Sequence, residues 1–143
     1  MIFIKDKYFL DTNILVYAYD KTDPSKQQKA QDLLKEGLKS EKAVISSQVL
    51  SEFYVTLTQK LPQPLSRKEA KAQIVLLSAL EVIPVDVQVI YQAIDYQQRW
   101  KVSYWDALIL SAAQYGKCSI IYSENFSAAQ RYGSLKIHNI FKV

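Results

Sequence analysis

Cysteine and histidine each occur once in this 143-residue chain, as Cys118 and His138. A single thiol cannot close an internal disulfide and fits a reducing compartment better than a secreted setting, so the expected location is the cytoplasm. His138 falls in what reads as the last strand, a place for packing or surface exposure, and leaves a histidine-based triad poorly supported. No stretch approaches the roughly 20 apolar residues of a membrane helix. The first ten residues hold only a few apolar side chains before their charges and so lack the hydrophobic core of a signal peptide. Linkers, repeats and low-complexity segments are also missing. A single domain over residues 1–143 is expected, long enough to bury roughly 70% of the surface its unfolded form exposes.

The charge that is present leans basic. Eighteen Lys and Arg against fourteen Asp and Glu give a net charge of +4 and a pI of about 9.0, a bias compatible with a polyanionic partner. Lys26, Lys29, Lys35, Lys39, Lys68 and Lys71 lie on helix-like stretches and read as a solvated polar face.

Strand-like runs alternate with helical ones. Tyr8 to Leu10 forms a short apolar run before a helix through Ile14, Leu15 and Tyr17. Asp23-Pro24 reads as an N-cap with proline at the first helical position, opening a helix through Ala30 and Leu38. Ala43 to Ser46 is a strand candidate, and Ser47 can cap a helix carrying Val49, Phe53 and Leu57 on one face. Pro62 and Pro64 break that helix. Ser66 to Glu69 has the capping-box pattern and starts another helix through Leu80. Val82 to Val85 is a further strand candidate, and Asp86 caps a helix ending near Arg99-Trp100-Lys101. Ser103 precedes a helix through Leu110 that Gly116 can close at C′. Ser119 to Tyr122 reads as a strand, followed by a turn, a short helix near Ala128 to Tyr132 and a last strand around Leu135 to His138. This order points to an α/β domain with a mainly parallel sheet of about five short strands.

Two acids sit badly with their surroundings. Asp11 stands between two apolar runs at the C-terminal end of the first strand, the edge where open α/β sheets bind ligands, although taken alone an Asx-turn or helix-cap role is the commoner one for an acid at such a junction. Asp106 lies near the azimuth of Ala113 on a helix that is apolar almost all round and therefore buried. A helix-dipole contribution under about 1 kcal/mol does not account for an acid on that side. Glu52 reads by itself as a solvated glutamate, and Glu124 as a turn acid after the Ser119 to Tyr122 strand. A doubly wound sheet can bring Asp11, Asp106 and Glu124 to one rim. Carboxylates crowded there would repel one another and partly protonate unless a divalent cation held them ionised. An all-carboxylate set suits a hard ion such as Mg²⁺ or Mn²⁺.

Four segments, Phe9 to Asp20, Ile45 to Lys60, Tyr104 to Ala113 and Ile120 to Phe141, together resemble the PIN-domain ribonucleases, most closely the VapC-type toxins of bacterial toxin-antitoxin pairs. They span nearly the whole chain in family order. The resemblance implies a three-layer, Rossmann-like PIN fold with Asp11, Glu52 and Asp106 as the acidic metal-binding set for one or two ions of Mg²⁺ or Mn²⁺. Glu52 enters that set on the resemblance alone. Asn13 and Ser123 match polar positions bordering such sites. The family often has aspartate where this chain has Asn125, so either Glu124 replaces the missing carboxylate or a second metal is held weakly.

The implied activity is metal-assisted hydrolysis of RNA phosphodiesters, with a cognate antitoxin protein and a homodimer as partners. Arg99, Lys101 and Arg131 could hold the RNA backbone. Tyr104, Trp100 or Trp105 could stack bases, core packing being the expected fate of both tryptophans. Two other readings stay open: a PIN-like module that binds RNA or protein without cutting, and a phosphatase using Asp11 as nucleophile. The absence of a second aspartate in Asp11-Thr12-Asn13 lowers the latter.

Overall fold

In the computed structural model, which describes residues 6–126 and 131–142, the chain folds as a six-stranded sheet flanked by helices. The elements run β1 (Tyr8–Leu10), α1 (Thr12–Tyr17), α2 (Pro24–Ser40), β2 (Ala43–Ser46), α3 (Ser47–Val55), α4 (Arg67–Leu77), β3 (Glu81–Ile83), α5 (Val87–Trp100), α6 (Tyr104–Tyr115), β4 (Ile120–Tyr122), β5 (Arg131–Tyr132) and β6 (Leu135–His138). A π-helical turn, Thr56–Lys60, extends α3. The strand order is β3-β2-β1-β4-β6-β5. Every neighbouring pair is parallel except β5 and β6, which are antiparallel.

Parallel strands covered on both faces must be apolar on both, which is why β1 and β2 read as continuous runs and are buried at every position. Phe9, Leu10, Ile45, Ile121 and Ile137 form the middle of the core, with Ile14, Leu15, Phe53 and Leu57 packed from the helices. Helix α6 is buried continuously from Ala107 to Ala113, as its lack of a polar face requires.

Local signals set most helix starts. Asp23 accepts from the Lys26 amide, Ser66 and Glu69 close a reciprocal capping box, and Asp86 and Ser103 cap α5 and α6. Other expectations are corrected. The cap of α3 is Ser46, whose hydroxyl accepts from the Val49 amide, while the Ser47 hydroxyl accepts from the Val85 amide. That bond, together with Pro84, which has no N–H to donate, ends β3 at Ile83. Gly116 stays right-handed at φ −76°, and the left-handed residue is Lys117. Glycine is needed at 116 for room, since a Cβ there would come within 2.9 Å of Val44 Cγ1. Of the helix expected near Ala128 to Tyr132, residues 128–130 lie outside the described residues, whereas Arg131 and Tyr132 form a strand and supply the sixth member of the sheet.

Strand β1 is paired with β2 on one side and β4 on the other, and the chain reverses its direction of travel across the sheet between them. In open α/β sheets the carboxyl ends of the strands at such a reversal form a crevice. Asp11 follows β1, and Ser123 and Glu124 follow β4.

Candidate active site

A cavity of about 670 Å³ opens at this crevice, and its walls include Asp11, Thr12, Asn13, Glu52, Asp106, Glu124 and Asn125. The fold thus brings all four sequence-derived acids to one place. Asp11 comes from the end of β1, Glu52 from α3, Asp106 from the first turn of α6, and Glu124 and Asn125 from the segment after β4.

Asp11 forms the floor, with 8% of its surface exposed. It does double duty, because its Oδ1 accepts the Thr12 amide at 2.8 Å and caps α1. The cap reading and the site reading of this residue are therefore compatible. Its Oδ2 accepts the Ser123 hydroxyl at 2.7 Å and faces the Asn13 amide nitrogen at 3.5 Å. Asn13 spans β1 and β4 as well: its Nδ2 donates to Ser123 Oγ, and its Oδ1 accepts the Glu124 amide. These bonds fix the floor without neutralising it. Burial drives the Asp11 carboxyl up to about 6, against the pull of Ser123 and Thr12, and the charges of Glu52 and Asp106 push it further in the same direction.

Asp106 is half-buried, and its carboxyl is also raised, by burial, with Ser103 opposing. Glu52 is exposed and accepts the Thr12 hydroxyl at 3.1 Å. Among the described residues no three acid, histidine or cysteine side chains are gathered into a ready cation cage. The donor chemistry nonetheless fits a hard divalent ion. It is all oxygen, and its members repel one another across a shared cavity, an arrangement a cation relieves.

Glu124 differs from the other three. Its Oε1 accepts the Tyr17 hydroxyl at 2.7 Å and its Oε2 pairs with the Lys26 ammonium at 2.6 Å. Burial would raise its carboxyl, but the bonds to Lys26 and Tyr17 outweigh that effect and hold it below the ordinary range. Asn125 is exposed at the cavity edge, and its amide donates to Ser123 Oγ.

The expected basic contacts are not brought to this cavity. Arg99, Lys101 and Arg131 lie outside its walls, Arg99 stacked 5.7 Å from the Trp100 ring centroid. Among the described residues the cation on the wall is Lys60, at the end of the π-helical turn, joined by Gln48 from α3 and by Asp20, whose Oδ1 accepts from Thr22. None of these carried a signal in the sequence, since each reaches the site through the packing of α3 and the α1–α2 connection. The tryptophans part company. Trp100 packs between Tyr96 and Tyr132, whereas Trp105 is 64% exposed on the cavity rim beside Asp106.

Residues 8–132 match the family model described as the PIN domain. Among solved structures, DNA-bound VapBC from Salmonella typhimurium is similar with a TM-score of 0.68 and 18% identity, covering 94% of this chain and 98% of that one. VapBC2 from Rickettsia felis, bound to a DNA fragment from its promoter, reaches 0.67 and 23%, covering 92% and 97%. VapC20 of Mycobacterium tuberculosis, described as a toxin cleaving the sarcin-ricin loop, reaches 0.65 and 17%, covering 86% and 92%. At these identities the solved structures show a common fold. No curated protein sequence matches the chain.

Proposed function

The chain belongs to the PIN-domain family, whose model takes in most of its length, and from that membership we propose that it is a metal-dependent endoribonuclease acting as the toxin of a toxin-antitoxin pair. The observation that carries the reading is the convergence of Asp11, Glu52 and Asp106 on one cavity at the β1–β4 crevice, with the ionisation of Asp11 opposed by its burial and then by the charges of the other two.

Asp11, Glu52 and Asp106 are the residues that would hold the ion, Mg²⁺ or Mn²⁺ by their oxygen chemistry. A bound divalent cation supplies Lewis-acid polarisation of a phosphodiester. Ser123, Asn13 and the Thr12 amide keep Asp11 in one rotamer, so its carboxylate is placed before any substrate arrives. The Thr12 hydroxyl gives Glu52 a single exposed contact near Asp11. The exposure of Glu52 and half-exposure of Asp106 leave both side chains room to turn toward an ion between them. Lys60 on the cavity wall offers positive charge to a phosphate backbone, and the exposed indole of Trp105, edge to face with Tyr104, offers a stacking surface to a base.

The partner side of the proposal rests on a second surface. Val87, Tyr91 and Ile94 form an exposed apolar row on α5, of the kind that a homodimer or antitoxin contact covers. The solved neighbours from Salmonella and Rickettsia are toxin-antitoxin assemblies, which supports an antitoxin as one partner.

The test is cleavage of structured RNA with Mn²⁺, comparing wild type with Asp11→Asn and Asp106→Asn. Each variant is expected to lose about a hundredfold or more in rate, as removal of a charged ligand commonly does. Wild-type rates in both variants would refute the assignment. Trapping of a phosphoryl group on Asp11 would favour the phosphatase reading instead.

A further inference from the structure

Lys26 was one of six helix lysines whose spacing suggested a solvated face. Its surroundings are instead built. The ammonium lies 2.6 Å from Glu124 Oε2 and 3.3 Å from the Tyr17 hydroxyl, and it sits over two aromatic rings, 4.8 Å from the Tyr17 centroid and 5.5 Å from that of Phe141. The two rings meet edge to face at 4.8 Å. Contacts from α1, from the segment after β4 and from the C-terminal segment thus converge on one cation of α2. Glu124 is equally committed, with one carboxylate oxygen on Tyr17, the other on Lys26, and its backbone amide on Asn13.

This changes the charge that a cation would meet. Asp11, Asp20, Glu52, Asp106 and Glu124 all line the cavity. The Asp20 carboxylate is turned onto Thr22, and that of Glu124 is cancelled by an ammonium that is itself held by two ring faces. Of the acids without a counter-charge, Asp20 has one oxygen taken up by the Thr22 amide and hydroxyl, and Asp11, Glu52 and Asp106 remain as the candidate set. Resting on the metal-site reading above, we propose that Lys26 is a positioning residue that withdraws Glu124 from the cation site, so that three carboxylates rather than four form its acidic set. Asn125 then completes an uncharged far wall, and Glu124 ties the β4 end of the crevice to α1 and α2.

The test uses Mn²⁺ calorimetry on the full chain with Lys26→Met, Glu124→Gln and the double variant, beside Asp106→Asn. Glu124→Gln leaves the Lys26 ammonium without its counter-charge and is expected to weaken Mn²⁺ binding by no more than about tenfold, well short of the loss in Asp106→Asn, because its carboxylate does not ligate the ion. Lys26→Met frees that carboxylate and is expected to bind about tenfold more tightly, a modest share of what one added charge supplies at close range. The double variant should return to wild-type affinity. The proposal is overturned if Glu124→Gln weakens binding as much as Asp106→Asn does, or if Lys26→Met leaves binding unchanged.

Unfolding without metal supplies a separate readout. Because the two side chains act as a unit, the double variant should lose no more thermal stability than the worse single variant, and additive losses would overturn the clamp. If wild type and Asp106→Asn alike bind no Mn²⁺, the metal-site reading fails on its own, and the metal-free cycle still decides whether Lys26 and Glu124 are coupled.

Discussion

Replacing Asp11 by asparagine should make the metal-free protein more stable at neutral pH. In the folded state burial, and then the charges of Glu52 and Asp106, raise this carboxyl from 3.8 to about 6. The folded chain therefore holds a proton that the unfolded chain releases. The stability contributed by the protonated form is fully present below about pH 4 and is lost as the pH rises through about 6. A rise from 3.8 to about 6 puts the cost of the ionised form at about 3 kcal/mol at pH 7. Asparagine escapes that cost. It is as good an N-cap for α1 as aspartate and its oxygen can still accept the Thr12 amide, but its NH₂ meets Ser123 Oγ, which already accepts from Asn13 and Asn125, so a pH-independent part of the gain is given back. Urea unfolding in EDTA between about pH 4 and pH 8, followed by tryptophan fluorescence, measures the difference between the two proteins. It should move in favour of the variant by about 3 kcal/mol between pH 4 and pH 7. Added Mg²⁺ should reverse the order, because only the wild type gains from the ion. A difference that does not change with pH, or a variant less stable at pH 7 in EDTA, would refute the electrostatic description of the site.

Ser123→Ala removes the 2.7 Å donor to Asp11 Oδ2. It should raise the Asp11 carboxyl further, move the acid limb of the pH–rate profile to higher pH, and cost about 1.5–3 kcal/mol at pH 7 in urea unfolding. Gly37→Ala places a Cβ 2.5 Å from Ala43 Cβ, where α2 crosses β2, and should destabilise the fold by about 1–3 kcal/mol without changing the pH dependence of unfolding. Trp105→Ala should leave unfolding within about 0.5 kcal/mol of wild type because the ring is exposed, while raising the RNA concentration needed for half-maximal cleavage.

Sequence and structure agree most closely where a single residue carries its own signal. The Asp23-Pro24 start of α2, the Ser66–Glu69 capping box and the apolar β1 and β2 are local choices that tertiary packing did not override. Asp11 and Asp106 were legible for a related reason, since each is a charge set among apolar neighbours. Glu52 was not legible from its own helix, because it points away from the α3 core stripe and gains meaning only when α3 lies beside the end of β1. Lys26 and Glu124 illustrate the same limit. They are 98 residues apart, and nothing in either neighbourhood forecasts a bond of 2.6 Å. Trp105 fails in the opposite sense. Composition favours a buried tryptophan, yet its place one residue before Asp106 turns it outward to the rim. Gly116 was read as able to close α6 in a left-handed turn, but it is right-handed there and glycine is needed for the closeness of Val44.

The central claim is that Asp11, Glu52 and Asp106 share one divalent cation while Glu124 stays with Lys26. Its most direct test is a crystal soaked in Mn²⁺ and measured for anomalous scattering. A peak at about 2–2.2 Å from carboxylate oxygens of those three residues is expected, with the Lys26–Glu124 pair intact. The claim is contradicted by the absence of a peak in that cavity, or by a peak coordinated through Glu124.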